Sequence, residues 1–176
     1  MNDPRDLFDL TGRVACVTGA SAGLGQRAAS VLAAAGAQVV GVARRAEALA
    51  DWVAATGEKA KAVSADLSQR DALSSIAAEI AGAFGAPDIM VHAAGINTRE
   101  VADEVTPEGW NITMNLNLAA PFFLSQSFAP AMKAKGWGRI VNFASLQTTR
   151  AFPGGVSYGA STAGIAQLTR AMAEAW

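Results

Sequence analysis

What most constrains this chain is a rhythm: short β-branched runs alternate with long Ala-rich stretches from one end to the other. "RVACVT" (Arg13–Thr18), "QVVGV" (Gln38–Val42), Lys61–Ser64, "DIMVH" (Asp88–His92) and "GRIVNF" (Gly138–Phe143) read as five strands. Helices are predicted over Gly23–Ala35 (closed by Gly36), Glu47–Ala55 and Asp71–Phe84. A long helical region runs from about Pro107 towards Lys135, and a last helix begins near Tyr158. Strands this apolar need cover on both faces, and crossovers this long suit parallel pairing. The pattern predicts a Rossmann-type, doubly wound α/β sheet in three layers. No linker or internal repeat interrupts it, so residues 1–176 are expected to form one domain.

Composition removes several function classes. With 14 basic and 15 acidic side chains the net charge is −1, and the only adjacent basic pair is Arg44-Arg45. Neither nucleic acid nor an anionic membrane is an expected partner. The opening "MNDPRDLFDLTGR" has no apolar core of a signal peptide, and no run approaches the ~18 apolar residues that span a bilayer. A cytoplasmic location is expected. One His and one Cys cannot build a transition-metal site of ordinary spacing, and Cys16 in "VACVTG" reads as a small buried hydrophobe.

The first strand leads into "TGASAGLG", with glycines at 19, 23 and 25. Glycines allow positive φ and close approach of backbone to a diphosphate. The helix that follows presents unpaired N–H groups and a partial positive charge. At the first strand–helix junction of a parallel sheet this is a dinucleotide signal. The spacing G-x-x-x-G-x-G, headed by Thr18-Gly19, resembles that of the short-chain dehydrogenase/reductase family. The resemblance runs from about Leu10 to Trp176 through motifs in the family's order: Asp66-Leu67, "HAAG" at His92–Gly95, "NLNL" around Asn117, Ser145 and Tyr158. It implies cofactor contacts from Gly19, Ser21, Gly23, Leu24, Gly25, Arg44, Asp66, Leu67, Ala93 and Gly95. "LFDLTGRV" is most similar to the gluconate-type and 3-oxoacyl reductase branches.

In dinucleotide folds an acidic residue ~20 positions beyond the glycines binds the ribose 2′-hydroxyl. Here that position is Ala43, followed by Arg44 and Arg45. Guanidinium groups suit a 2′-phosphate, so NADP(H) is expected ahead of NAD(H), unless both arginines are merely solvated at a helix start. Asp66 fits either an adenine contact or a nearby N-cap.

The resemblance assigns Tyr158 as general acid/base, Ser145 as the hydroxyl polarising the substrate oxygen, and Asn117 (rather than its neighbour Asn115) as holder of a relay water. The substrate would be a small carbonyl compound or alcohol. A strand-end turn serine, a packing tyrosine and a solvated helix asparagine are the plain alternatives. His92, where the family carries asparagine, reads as a strand-end residue near the cofactor. One departure is sharp: the family's Tyr-x-x-x-Lys is here Tyr158-x-x-x-Thr162. Residues four apart share a helix face, and a cation there favours the phenolate. Thr162 cannot supply that field, so an impaired or inactive nucleotide-binding domain is the rival reading. "AQLTRAMAEAW" carries no helix stop, and the resemblance implies further strands beyond it. The chain therefore reads as a C-terminally truncated member with its fifth strand an exposed edge. The resemblance also implies a homo-oligomer, dimer or tetramer, joined through the long and last helices. The loops "INTREVADEVT" and "QTTRAFPGG" show no decisive substrate residue.

Overall fold

Parallel pairing accounts for every strand. In a computed structural model describing residues 7–176, β1 (Val14–Thr18), β2 (Gln38–Ala43), β3 (Ala60–Ser64), β4 (Ile89–His92) and β5 (Arg139–Asn142) form one sheet in the order β3-β2-β1-β4-β5. The charged opening at 1–6 lies outside the described residues. Val14 pairs with Gln38 on one side of β1 and Ala15 with Ile89 on the other, all in parallel register. The chain winds outward from β1 to β3 and then returns to place β4 against β1. That reversal leaves a crevice above the carboxyl ends of β1 and β4, where open α/β sheets hold ligands.

Alternate residues of each strand feed two apolar layers. Cys16, Val40, Val42 and Met90 pack with Ile76 and Ile80 of α3 (Leu73–Phe84) and Leu124 and Phe128 of α5 (Ala120–Ala134). Ala15, Val17, Val39 and Val91 pack with Ala29 and Ala33 of α1 (Gly23–Ala34) and Leu49 and Trp52 of α2 (Ala46–Thr56). Each fully buried Leu, Ile or Val contributes about 1.5–3 kcal/mol, so both layers are needed. β5 forms one edge of the sheet, with its Val141 49% exposed and Phe143 just after it 41% exposed.

The long region after β4 departs from a single helix. Thr106 caps α4 (Pro107–Met114) by accepting the Gly109 N–H at 3.0 Å, with Pro107 in the first turn. Residues Asn115–Ala119 then form a π-helical turn before α5 begins. The α3 region likewise starts later than its sequence suggests, after a 3₁₀ turn at Arg70–Ala72. The last helix, α6, spans Val156–Ala175. Among the described residues no helix is long and apolar enough to cross a membrane, and no three His, Cys, Asp or Glu side chains group as a metal site.

Candidate active site

The turn after β1 is shaped by close approaches. Thr18 Oγ1 accepts the N–H groups of Ala93 and Ala94, each at 3.2 Å, which fastens the chain leaving β4 beside the exit of β1. Gly19 has φ +72°, and a Cβ there would lie 2.8 Å from the Ala93–Ala94 backbone. Gly25, in the first turn of α1, would drive a Cβ to 2.7 Å from the Gly19 carbonyl carbon. Gly23, at φ +56°, faces open space. Ala22 caps α1 without any side-chain hydrogen bond, so the first N–H groups of the helix keep their donors free of side-chain partners. Free donors, a positive helix end and no Cβ in the way fit a diphosphate.

Two cavities meet at this turn. The smaller, about 170 Å³, is lined by Gly19, Ser21, Arg44, Arg45, Asp66, Leu67, Ala93 and Gly95. The larger, about 450 Å³, is lined by Leu24, Ala93, Gly95, Asn117, Tyr158 and Thr162. Both share the Ala93–Gly95 strip, so an elongated two-ended molecule can lie along it with one end in each. Of the residues expected to contact a cofactor, Gly23 and Gly25 alone shape the turn without lining either space.

At the smaller cavity Ala43 ends β2 with no carboxylate, and two guanidinium groups follow. Arg45 Nε and Nη2 both donate to Ser21 Oγ, at 3.2 and 3.1 Å, tying the end of β2 to the phosphate turn. Asp66 Oδ1 accepts both the N–H and the hydroxyl of Ser68, at 3.0 and 2.8 Å. Asp66 therefore makes a local Asx turn and is not an N-cap; the residue before α3 is Ala72, which has no side-chain cap bond. Partial burial pushes the Asp66 carboxyl up, but the hydrogen bonds from Ser68 and Gln69 and the charge of Arg44 hold it below the usual carboxylate range.

At the larger cavity Tyr158 is half-buried in the first turn of α6. Thr162, one turn on, is buried beside the same space, and its hydroxyl donates to the Gly159 carbonyl at 3.2 Å. Asn117 is turned inward and not towards solvent: its Oδ1 accepts the Ile96 N–H at 2.9 Å, and Nδ2 donates to the Ile96 carbonyl at 2.8 Å and to Ser161 Oγ at 3.1 Å. Both amide hydrogens are thus committed to protein acceptors, which leaves only a lone pair of Oδ1 for a water. Ser145 stands apart. It caps the 3₁₀ turn Leu146–Thr148, accepting the Gln147 N–H at 3.2 Å, and lines neither cavity. Its own O–H remains able to donate.

Two further side chains line the larger cavity. His92 is 3% exposed with Nε2 2.9 Å from Ser125 Oγ, and burial pushes its imidazole down to about 4. Arg99, which sequence reasoning missed, is the one charged side chain in the lining. Its φ of +58° is the only positive value at a described non-glycine residue, and its N–H is held by Asn97 Oδ1 at 3.0 Å. The loop read as having no decisive substrate residue thus places a charged side chain in the lining. Only its charge was visible in the sequence.

Comparison with known proteins agrees with this geometry. The sequence model described as short chain dehydrogenase matches residues 13–176. The chain is similar to the 2-dehydro-3-deoxy-D-gluconate 5-dehydrogenase of Escherichia coli, 39% identical over 175 residues, covering 96% of this chain and 68% of that one. It is also similar to the gluconate 5-dehydrogenase of Gluconobacter oxydans, 38% identical over 174 residues, covering 97% and 68%. Among solved structures, a gluconate 5-dehydrogenase from Burkholderia cenocepacia in complex with NADP and tartrate superposes with TM-score 0.89 at 33% identity, covering 99% of this chain and 69% of that one.

Proposed function

The chain belongs to the short-chain dehydrogenase family, and from that premise we propose that it binds NADP(H) across the two cavities and acts on a small anionic carbonyl compound or secondary alcohol. When bound, the nicotinamide dinucleotide exchanges hydride with the substrate carbon. The observation that carries this reading is the shared Ala93–Gly95 strip, which lets one molecule reach from Arg44 and Arg45 to Tyr158. The free N–H groups opening α1 hold the diphosphate, and the guanidinium pair favours a 2′-phosphate. Tyr158 exchanges a proton with the substrate oxygen, and Ser145, whose O–H remains able to donate, supplies a hydrogen bond to that oxygen. Arg99, alone in its charge within the lining, pairs with a carboxylate on the substrate. That fits the sugar-acid names of the relatives and the tartrate in the related structure. The glycine turn, the guanidinium pair and Tyr158 all lie in one folded unit, and a second copy of the chain pairs with it in solution.

Thr162 favours a second reading, a nucleotide-binding domain with little or no turnover. It offers no cation beside the phenol, and loss of such assistance costs on the order of 10²–10⁴ in rate. The test is NADPH binding measured beside NADPH-dependent reduction of a panel of keto acids and neutral ketones, for the parent and Thr162→Lys. The enzyme reading expects binding, preference for keto acids and a rate that rises at least tenfold in Thr162→Lys. Binding without turnover in both proteins supports the second reading, and no binding in either rejects both.

A further inference from the structure

Four hydrogen bonds, one of them buried and three part-buried, run in series from the loop after β4 to the helical turn that carries the phenol. Ile96 and Asn117 exchange two of them, at 2.9 and 2.8 Å. The second Nδ2 hydrogen of Asn117 goes to Ser161 Oγ at 3.1 Å, and Ser161 donates in turn to the backbone carbonyl of Tyr158 at 2.8 Å. Ser161 is fully enclosed at 0% exposure and Asn117 nearly so at 8%. Ile96, Asn117 and Tyr158 all line the larger cavity, while Ser161 lies behind it.

The π turn at Asn115–Ala119 brings Asn117 inward, where its amide bridges a loop on one side and α6 on the other. Ser161 is the only link on the α6 side, accepting and donating at once, so each bond polarises the next. We infer that Ser161 is a positioning residue: through Asn117 it fixes the first turn of α6, and hence the Tyr158 phenol, against the Gly95–Ile96 wall of the cavity. The inference rests on the functional reading of that cavity, but its readout does not. An alanine at 161 would leave an Asn117 N–H unpaired inside packed protein, an outcome the structure relieves only by turning the amide or shifting α6. Either movement displaces the phenol.

The chain contains one tyrosine, so protein grown with ring-¹³C tyrosine reports on Tyr158 alone. The experiment compares that resonance in the parent, Ser161→Ala and Ser161→Cys, with circular dichroism, NADPH affinity and turnover measured on the same samples. In Ser161→Ala the fold and NADPH affinity are retained, the tyrosine resonance moves and broadens, and kcat falls about 10–100-fold at unchanged KM for NADPH. Ser161→Cys, which fills the same space with a weaker donor, moves the resonance in the same direction by less; it carries the test if the alanine variant does not fold. Added to Asn117→Ala, Ser161→Ala shifts the resonance no further, because the series is already broken. An unmoved tyrosine resonance in either folded Ser161 variant overturns the inference. Failure of the parent to bind NADPH counts against the functional reading, and the resonance still decides the role of Ser161.

Discussion

Arg45 reaches from the end of β2 to Ser21 and donates both Nε and Nη2 to its hydroxyl, at 3.2 and 3.1 Å. The guanidinium is therefore already held over the phosphate turn, with Arg44 in the same cavity and no carboxylate at Ala43. A carboxylate placed at the end of β2 would repel a 2′-phosphate and accept from the ribose hydroxyls instead. Ala43→Asp is expected to weaken NADPH and strengthen NADH, moving the ratio of dissociation constants at least tenfold, ~1.4 kcal/mol. Fluorescence titration with both dinucleotides measures it, and an unchanged ratio would place the 2′-position elsewhere.

Gly25 packs on Gly19, which in turn packs on the Ala93–Ala94 backbone. A methyl group at 25 has nowhere to go unless α1 moves off the turn. Gly25→Ala should lose NADPH binding and destabilise the fold by about 1–3 kcal/mol, the cost of overpacking. Gly23→Ala meets no neighbour, so its stability loss comes from backbone strain at φ +56° alone. Urea melts alongside NADPH titrations separate the two effects.

Much of this was legible in the chain because parallel strands covered on both faces must be apolar throughout, and all five runs became strands to within a residue or two. The glycine turn was equally plain, since only glycine tolerates those approaches. Other features depend on partners distant in sequence. The π turn exists where Asn117 is drawn towards Ile96 and Ser161, which no local propensity announces. Arg99 reaches the cavity because Asn97 bonds its N–H and Gly154 leaves room beside its carbonyl, where a Cβ would come within 3.1 Å. The N-cap considered for Asp66 gave way to Ser68, whose N–H and hydroxyl lie within immediate reach. Ser145 was found as a residue, but its engagement with Gln147 was not foreseeable.

His92 gives the fold an acid-side limit. Burial pushes its imidazole down to about 4 from the ordinary 6.5, so the folded chain keeps it neutral while the unfolded chain protonates. The unfolded state then binds the extra proton, and stability falls as pH drops from 6.5 towards 4, by roughly 3 kcal/mol in all. Denaturant melts across this window should show the loss, and His92→Gln should flatten it. An equal slope in both proteins would mean that the imidazole does not set it.

β5 leaves its outer edge open among the described residues, with Val141 and Phe143 partly exposed and a groove of about 640 Å³ beside it walled by Met132, Trp137, Ile140, Met172 and Trp176. The Asn142 Oδ1 in that groove is buried without a hydrogen-bond partner. An unpaired apolar edge invites pairing with a second copy. Sedimentation should show concentration-dependent association that Val141→Lys reduces; a monomer at every concentration would refute it.

The central claim is that one dinucleotide spans both cavities along Ala93–Gly95, and the structure of the protein with NADP⁺ tests it most directly. The account predicts the diphosphate at the start of α1, the 2′-phosphate beside Arg44 and Arg45, and the nicotinamide ring in the cavity against Tyr158. A bound ring turned away from Tyr158, or a protein that stays empty at saturating NADP⁺, would contradict it.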